Sequence, residues 1–232
     1  DNERTRAQLA EFQRLCALIG PDSEVVWVDS EQPEADLVAE LEGTVAILHG
    51  YAAKLSVDVL KQVPTVKLVQ TMSAGTDYVD KPGLHDIGVG VANNGGGNAV
   101  AVAEHAIWLM IAVYRRLDEQ IRDTAAGLWS QNVGKYREEA HDLSEKTVGI
   151  VGLGRIGSRV ARRLQGWECK VVYYDVIEFD KEYEDELEVE RVTFDELVAM
   201  SDVITLHTPL EPTTKHLMST DQFKAMKETA IL

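Results

Sequence analysis

The run Val148-Gly149-Ile150-Val151 passes directly into Gly152-Leu153-Gly154-Arg155-Ile156-Gly157, and an apolar-periodic helix follows. A strand that turns into a helix through G-x-G-x-x-G suits few folds, because each glycine answers a different steric demand. Gly152 permits the tight turn, Gly154 lets the backbone approach a pyrophosphate, and Gly157 lets the helix pack on the strand. The helix start around Arg155 and Ile156 offers unpaired amides and a positive dipole end, which favour an anion. The next apolar run, Cys169 to Tyr174, ends in Asp175, 18 residues past Gly157. A carboxylate there can accept both ribose hydroxyls of adenosine and repel a 2′-phosphate. No arginine follows Asp175 for several residues, so NAD is expected rather than NADP. Arg155 either adds a charge-assisted contact to the pyrophosphate or is an exposed helix-face arginine.

Strand and helix patterns alternate on both sides of this motif. Upstream, the spacing predicts a helix over Arg4–Ile19, stopped by Gly20-Pro21-Asp22, and a buried strand at Glu24–Val28. Helices at Pro33–Leu41 and Leu55–Val63 alternate with strands at Val45–Leu48, Val66–Gln70 and Gly88–Val91. The glycine run at 95–97 reads as a hinge before a long helix from Ala99 to about Thr124, followed by an exposed arm or short helix at Ser130–His141. Downstream come Thr147–Val151, Ile156–Leu164, Lys170–Tyr174, Phe194–Met200, Val203–Leu206 and Thr220–Met226, with another strand beginning at Ala230. Such alternation predicts parallel sheets covered on both faces, in an α/β fold. Val176–Glu190, with eight acidic residues in fifteen, reads as a solvated loop and helix.

Charge and cysteine content narrow the partners. With 39 acidic against 23 basic residues the chain carries a formal charge of −16, which argues against nucleic acid or an anionic membrane surface. Cys16 and Cys169 supply neither a disulfide framework nor a metal cluster, and no metal site is expected; the pair suits a reducing cytoplasm. No apolar run reaches the roughly 20 residues of a spanning helix.

Four stretches, in order, resemble the D-isomer-specific 2-hydroxyacid dehydrogenases: Thr71–Asp80, Asn98–Glu104, Thr147–Gly157, and Ser201–Leu210 with Thr213, Thr214 and Leu217. The resemblance implies two doubly wound α/β domains: a flavodoxin-like substrate-binding domain over 1–98 and a Rossmann NAD domain over 99–232. It implies hydride transfer between NADH and a small 2-oxo acid, with the loop closest to that of glyoxylate/hydroxypyruvate reductases. The amides of Ala74 and Gly75 would hold the substrate carboxylate, as consecutive amides in a glycine-containing turn can. Asn98 stands near the reacting centre in some relatives, or it caps the following helix. Thr208 and Pro209 would line the nicotinamide pocket, with His207 contacting the cofactor through its backbone or carrying a proton. His49 could lie near the substrate, and His105 would be a packing residue. A homodimer is implied, with Trp108, Trp129 and the arm as contact candidates.

The family's arginine, glutamate and histidine for proton transfer would fall past Leu232, so no catalytic residue is expected within the chain. Relatives also begin with a strand where this chain begins in the following helix. A fragment of a longer enzyme is therefore expected. The alternatives are a non-catalytic NAD-sensing or scaffold protein, like the family's corepressor branch, and a formate dehydrogenase-like enzyme suggested by Asn98 and Val102-Ala103-Glu104-His105.

Overall fold

The computed structural model describes Arg14, Leu18, residues 24–50 and residues 55–232. The chain divides into two compact units, Asp1–Asn94 and Gly95–Leu232. In the first, α1 (Glu34–Glu40), β1 (Ala46–His49), α2 (Val57–Lys61), β2 (Leu68–Thr71), α3 (Lys81–Asp86) and β3 (Gly90–Ala92) alternate. The three strands are parallel in the order β1-β2-β3, and their register lines up Ile47, Val69 and Val91 across the sheet. Strand alternation points these residues to one face, where they meet Leu37, Leu41, Val59, Leu60 and Leu84 of the helices. Side chains mark two helix starts: Ser56 accepts the Val59 amide, and Asp80 accepts the Gly83 amide. Parallel pairing brings the strand ends His49 and Thr71 level, at one edge of the sheet.

The second unit holds α4 (Ala99–Tyr114), α5 (Leu117–Ala125), α6 (Trp129–Glu139), β4 (Thr147–Val151), α7 (Gly157–Leu164) and β5 (Lys170–Tyr174). These are followed by α8 (Lys181–Leu187), β6 (Val189–Arg191), α9 (Phe194–Met200), β7 (Val203–Leu206) and α10 (Thr220–Ala225). Its parallel sheet has the order β6-β5-β4-β7, so the chain winds outward one way from β4 and then crosses back to the other side. This is the Rossmann pattern, with its switch point between β4 and β7. One face carries the ladder Val203–Val148–Val171–Val189 against α4, α7 and α8. The opposite face presents Val151, Val172 and Ile204 to Leu197 and Val198 of α9. Burial on both faces explains why these strands read as continuous apolar runs.

Several expectations are corrected. Glu24–Val28 forms no strand; no described strand pairs with it, and Val26 and Trp27 are exposed. A strand needs a ladder partner as well as β-branched residues. The helix expected from Ala99 to Thr124 is broken at Arg116, which adopts a left-handed φ of 52° while its guanidinium pairs with Glu119 and Glu139. Of the exposed arm or short helix expected at Ser130–His141, the structure has the helix, α6. Val176–Glu190 contains the start of β6, a strand hidden among acidic residues because it sits beyond β5 at the sheet's edge. Ala230–Leu232 contributes a single bridge, Ile231 to Val203. The helix expected over Arg4–Ile19 with its stop, and Cys16, lie outside the described residues, apart from Arg14 and Leu18. No described helix is long and apolar enough to cross a membrane.

Gly149 is demanded by packing. A Cβ there would stand 2.3 Å from Ser201 Oγ and 2.7 Å from Leu197 Cδ2, so α9 lies directly on β4. Gly149→Ala should lower unfolding stability by about 1–3 kcal/mol, measured by urea denaturation; an unchanged midpoint would contradict this packing.

Candidate functional site

At the carboxyl end of β4 the chain turns at Gly152, whose φ is 93°. A Cβ at Gly152 would lie 2.9 Å from the His207 carbonyl oxygen, and one at Gly157 would lie 2.0 Å from the Gly152 carbonyl oxygen. Both glycines are therefore steric necessities of the turn. Gly154 differs: a Cβ there would meet nothing within 4 Å. Its missing side chain leaves open space above the start of α7. The amides of Gly154, Arg155, Ile156 and Gly157 donate to no acceptor among the described residues. Four unpaired N–H groups at a helix start, beside an open glycine, make an anion cradle. Arg155 lies against Gly96 and makes no ion pair among the described residues.

Asp175 closes one side of this cradle. Its Oδ2 accepts the Leu153 amide at 2.7 Å, and its Oδ1 accepts the Ile177 amide at 2.9 Å. A carboxylate has about four lone-pair sites, so both oxygens remain able to accept hydroxyls. On the other side of the switch point, Thr205 Oγ1 lies 2.9 Å from His207 Nε2, and the His207 amide donates to Val151 O. Thr208 flanks Gly152, and Thr214 holds the following loop by donating to the Pro209 carbonyl at 2.5 Å. Desolvation pushes the His207 pKa down to about 4. The ring is thus neutral at pH 7 and poorly suited to carry a proton there.

The first unit has a second amide cluster. Beyond β2, Ser73 Oγ donates to Gly75 O at 2.7 Å and pairs with Tyr78 Oη at 2.8 Å, while Asn93 Nδ2 donates to Ala74 O at 2.8 Å. The loop carbonyls are thereby engaged, whereas the Ala74 and Gly75 amides donate to no acceptor among the described residues. His49, at the end of β1, stacks on Tyr78 with ring centroids 5.6 Å apart, so it borders this loop. Tyr51 lies outside the described residues. Asn98 precedes α4 without making a capping hydrogen bond, because its φ of −105° and ψ of 6° are not the extended geometry a cap uses.

Residues 107–232, more than half of the chain, match the model of the D-isomer specific 2-hydroxyacid dehydrogenase NAD binding domain. The chain belongs to the D-isomer-specific 2-hydroxyacid dehydrogenase family. It is 30% identical over 227 residues to a glyoxylate reductase of Thermofilum pendens, covering 97% of this chain and 65% of that protein. Its fold is similar to that of an NAD-dependent formate dehydrogenase from Staphylococcus aureus in complex with NAD. There the TM-score is 0.74 at 33% identity, over 89% of this chain and 60% of that one. A D-lactate dehydrogenase from Aquifex aeolicus, complexed with NAD and lactic acid, gives a TM-score of 0.74 at 30% identity, over 86% and 57% of the two chains. The chain spans less than two thirds of the length of these relatives.

The cofactor of this dehydrogenase-family domain is NAD, and the turn passes a physical test for it. The open space at Gly154 is what a pyrophosphate requires, and a methyl group there would fill it. One cation near this site escaped the sequence reading. Arg191, at the end of β6, donates through Nη2 to the Asp175 carbonyl at 3.3 Å. It lies 16 residues downstream but pairs in register with Tyr173, two residues before Asp175. Recognising β6 and its place beside β5 would have found it.

Two outcomes follow. Gly157→Ala should destabilise the domain by about 1–3 kcal/mol because backbone, not a flexible side chain, opposes the new methyl; chemical denaturation measures it. For His207, the folded pKa lies below the unfolded 6.5. Its contribution is therefore full above pH 6.5 and lost as pH falls toward 4. His207→Gln should flatten that part of the pH–stability curve, by on the order of 2 kcal/mol after allowance for partial exposure. Parallel thermal unfolding of both proteins at pH 4.5 and 7 would show it; equal slopes would count against a buried neutral imidazole.

Proposed function

We propose that the protein is an NAD-dependent oxidoreductase that interconverts a small 2-oxo acid and the corresponding D-2-hydroxy acid. The observation carrying this reading is that one chain holds two sets of backbone amides without an acceptor among the described residues: a dinucleotide cradle at Gly154–Gly157, and a carboxylate-sized pair at Ala74 and Gly75. When bound, NADH supplies the hydride for the carbonyl carbon. The cradle amides hold the pyrophosphate, with Arg155 adding charge at its edge, and Gly152 sets the turn. Asp175 accepts the ribose hydroxyls. Thr208 and Pro209 line the nicotinamide side, with His207 presenting its backbone there. Ala74 and Gly75 donate to the substrate carboxylate, and Asn98 offers an uncommitted amide near the reacting carbon. In this reading 1–98 is the substrate-binding domain and 99–232 the NAD domain. No side chain of this chain is assigned as the proton donor, since His207 is neutral and tied to Thr205.

A homodimer is part of the proposal. The helix α4 is apolar around much of its circumference, and Trp108, Leu109 and Val113 are exposed on it, with Ile121 and Trp129 exposed on the helices that follow. Exposed apolar surface of this density marks an association site. Cys169 is a free thiol, which suits a cytoplasmic setting. A formate dehydrogenase-like activity is the second reading, favoured by the uncapped Asn98 side chain and the similarity to formate dehydrogenases.

The natural gene product should oxidise NADH with one or more of glyoxylate, hydroxypyruvate and other 2-oxo acids. Activity confined to NAD with formate would replace the main reading by the second. NADH binding without turnover of any substrate would leave a non-catalytic NAD-sensing role. Gly154→Ala should weaken NADH binding about tenfold or more without shifting the unfolding midpoint, by fluorescence titration beside thermal denaturation. Light scattering should give twice the protomer mass, and Trp108→Glu should shift that toward the monomer.

A further inference from the structure

Asp175 is not the only polar group at this end of the glycine turn. The register Tyr173↔Arg191 carries β6 alongside β5, so Arg191 ends its strand beside a residue two positions before Asp175. Its Nη2 donates to the Asp175 carbonyl at 3.3 Å, and its Nη1 is paired with Glu178 Oε1 at 2.6 Å. A guanidinium has five N–H donors in a rigid fork, so these two contacts leave most of its capacity unused. The Glu178 carboxylate is 78% exposed on its side chain, and such pairs contribute little stability. Arg191 is thus a fork-shaped cation at the ribose end, occupied by a partner that a phosphate dianion could displace. Around it, Asp175, Glu178 and Glu184 impose a negative field against an incoming anion.

We infer that Arg191 is a latent 2′-phosphate subsite, and that Glu178 together with Asp175 is what keeps the domain selective for NAD over NADP. This deepens the cofactor reading of the glycine turn and rests on it. The two carboxylates act differently. Asp175 repels the 2′-phosphate directly, whereas Glu178 neutralises a cation able to receive it. Removing Asp175 alone therefore lifts repulsion but leaves Arg191 engaged. Removing both frees the fork for bidentate contact, the geometry in which arginine binds phosphate best.

The test is equilibrium binding of NADH and NADPH, followed by fluorescence, to the wild type and to Asp175→Asn, Glu178→Gln, the double variant, and the double variant with Arg191→Ala. Asparagine keeps an acceptor oxygen for the Leu153 amide while losing the charge, and Glu178 is exposed enough that its replacement leaves the fold intact; circular dichroism of each variant checks both. The double variant should bind NADPH about tenfold or more tightly than Asp175→Asn alone. That gain should vanish with Arg191→Ala and shrink as salt is raised. Equal NADPH affinity in the double and single variants, or a gain that survives Arg191→Ala, would overturn the inference while leaving NAD binding at the glycine turn intact. Failure of the wild type to bind NADH would overturn the cofactor reading and this inference with it.

Discussion

The amide of Leu153 donating to the Asp175 carboxylate at 2.7 Å is the contact on which the nucleotide site depends. It joins the segments that follow the adjacent strands β4 and β5, so one bond sets both the glycine turn and the position of the Asp175 carboxylate. A charge-assisted bond of this kind is about twice as strong as a neutral one. The second bond, from Ile177, leaves the carboxylate no rotational freedom to lose when a ligand arrives. Asp175 is therefore a structural part of the cradle before it is a ligand to anything else. The steric demands at Gly152 and Gly157 serve the same end, because they seat the turn beside His207 and leave the amides of Gly154 to Gly157 without an acceptor among the described residues.

A chain with a formal charge of −16 has to bind anions without help from its overall field. Both units carry the same kind of feature suited to that task. Parallel strands end at one edge of the sheet, and the loops beyond them expose backbone amides whose dipoles are fixed by the fold. At Gly154–Gly157 the helix start supplies them. At Ala74 and Gly75 a loop does so, with Ser73 and Asn93 engaging the carbonyls and the N–H groups finding no acceptor among the described residues. Fixed dipoles cost no reorganisation on binding, whereas a mobile lysine would have to be ordered first.

The parts of this architecture that were legible in the chain are those whose cause is local. β5, α9 and β7 fall on the residues that periodicity assigns, because a strand buried on both faces must be apolar throughout and Thr193 marks the helix start with a capping box. The glycine fingerprint was legible for a similar reason, since each glycine answers a clash within a few residues or across one strand pair. What was not legible depends on partners distant in sequence. Glu24–Val28 has the composition of a strand and no described neighbour to pair with. The break after α4 carries no glycine or proline to announce it; a left-handed arginine held by Glu119 and Glu139 makes it instead.

The order of residues alone determined the kind of fold and the chemistry of its nucleotide site: apolar runs alternating with amphipathic helices, a turn only glycine can make, and a carboxylate at the end of the next strand. Three-dimensional packing decided which other groups share that site. An arginine in an acidic, strand-poor stretch reaches Asp175 because β6 pairs parallel with β5, and the His207 pKa falls because folding removes water from its ring. Both are effects of proximity and desolvation, which arise from contacts between distant segments and leave no mark in the local pattern of residues.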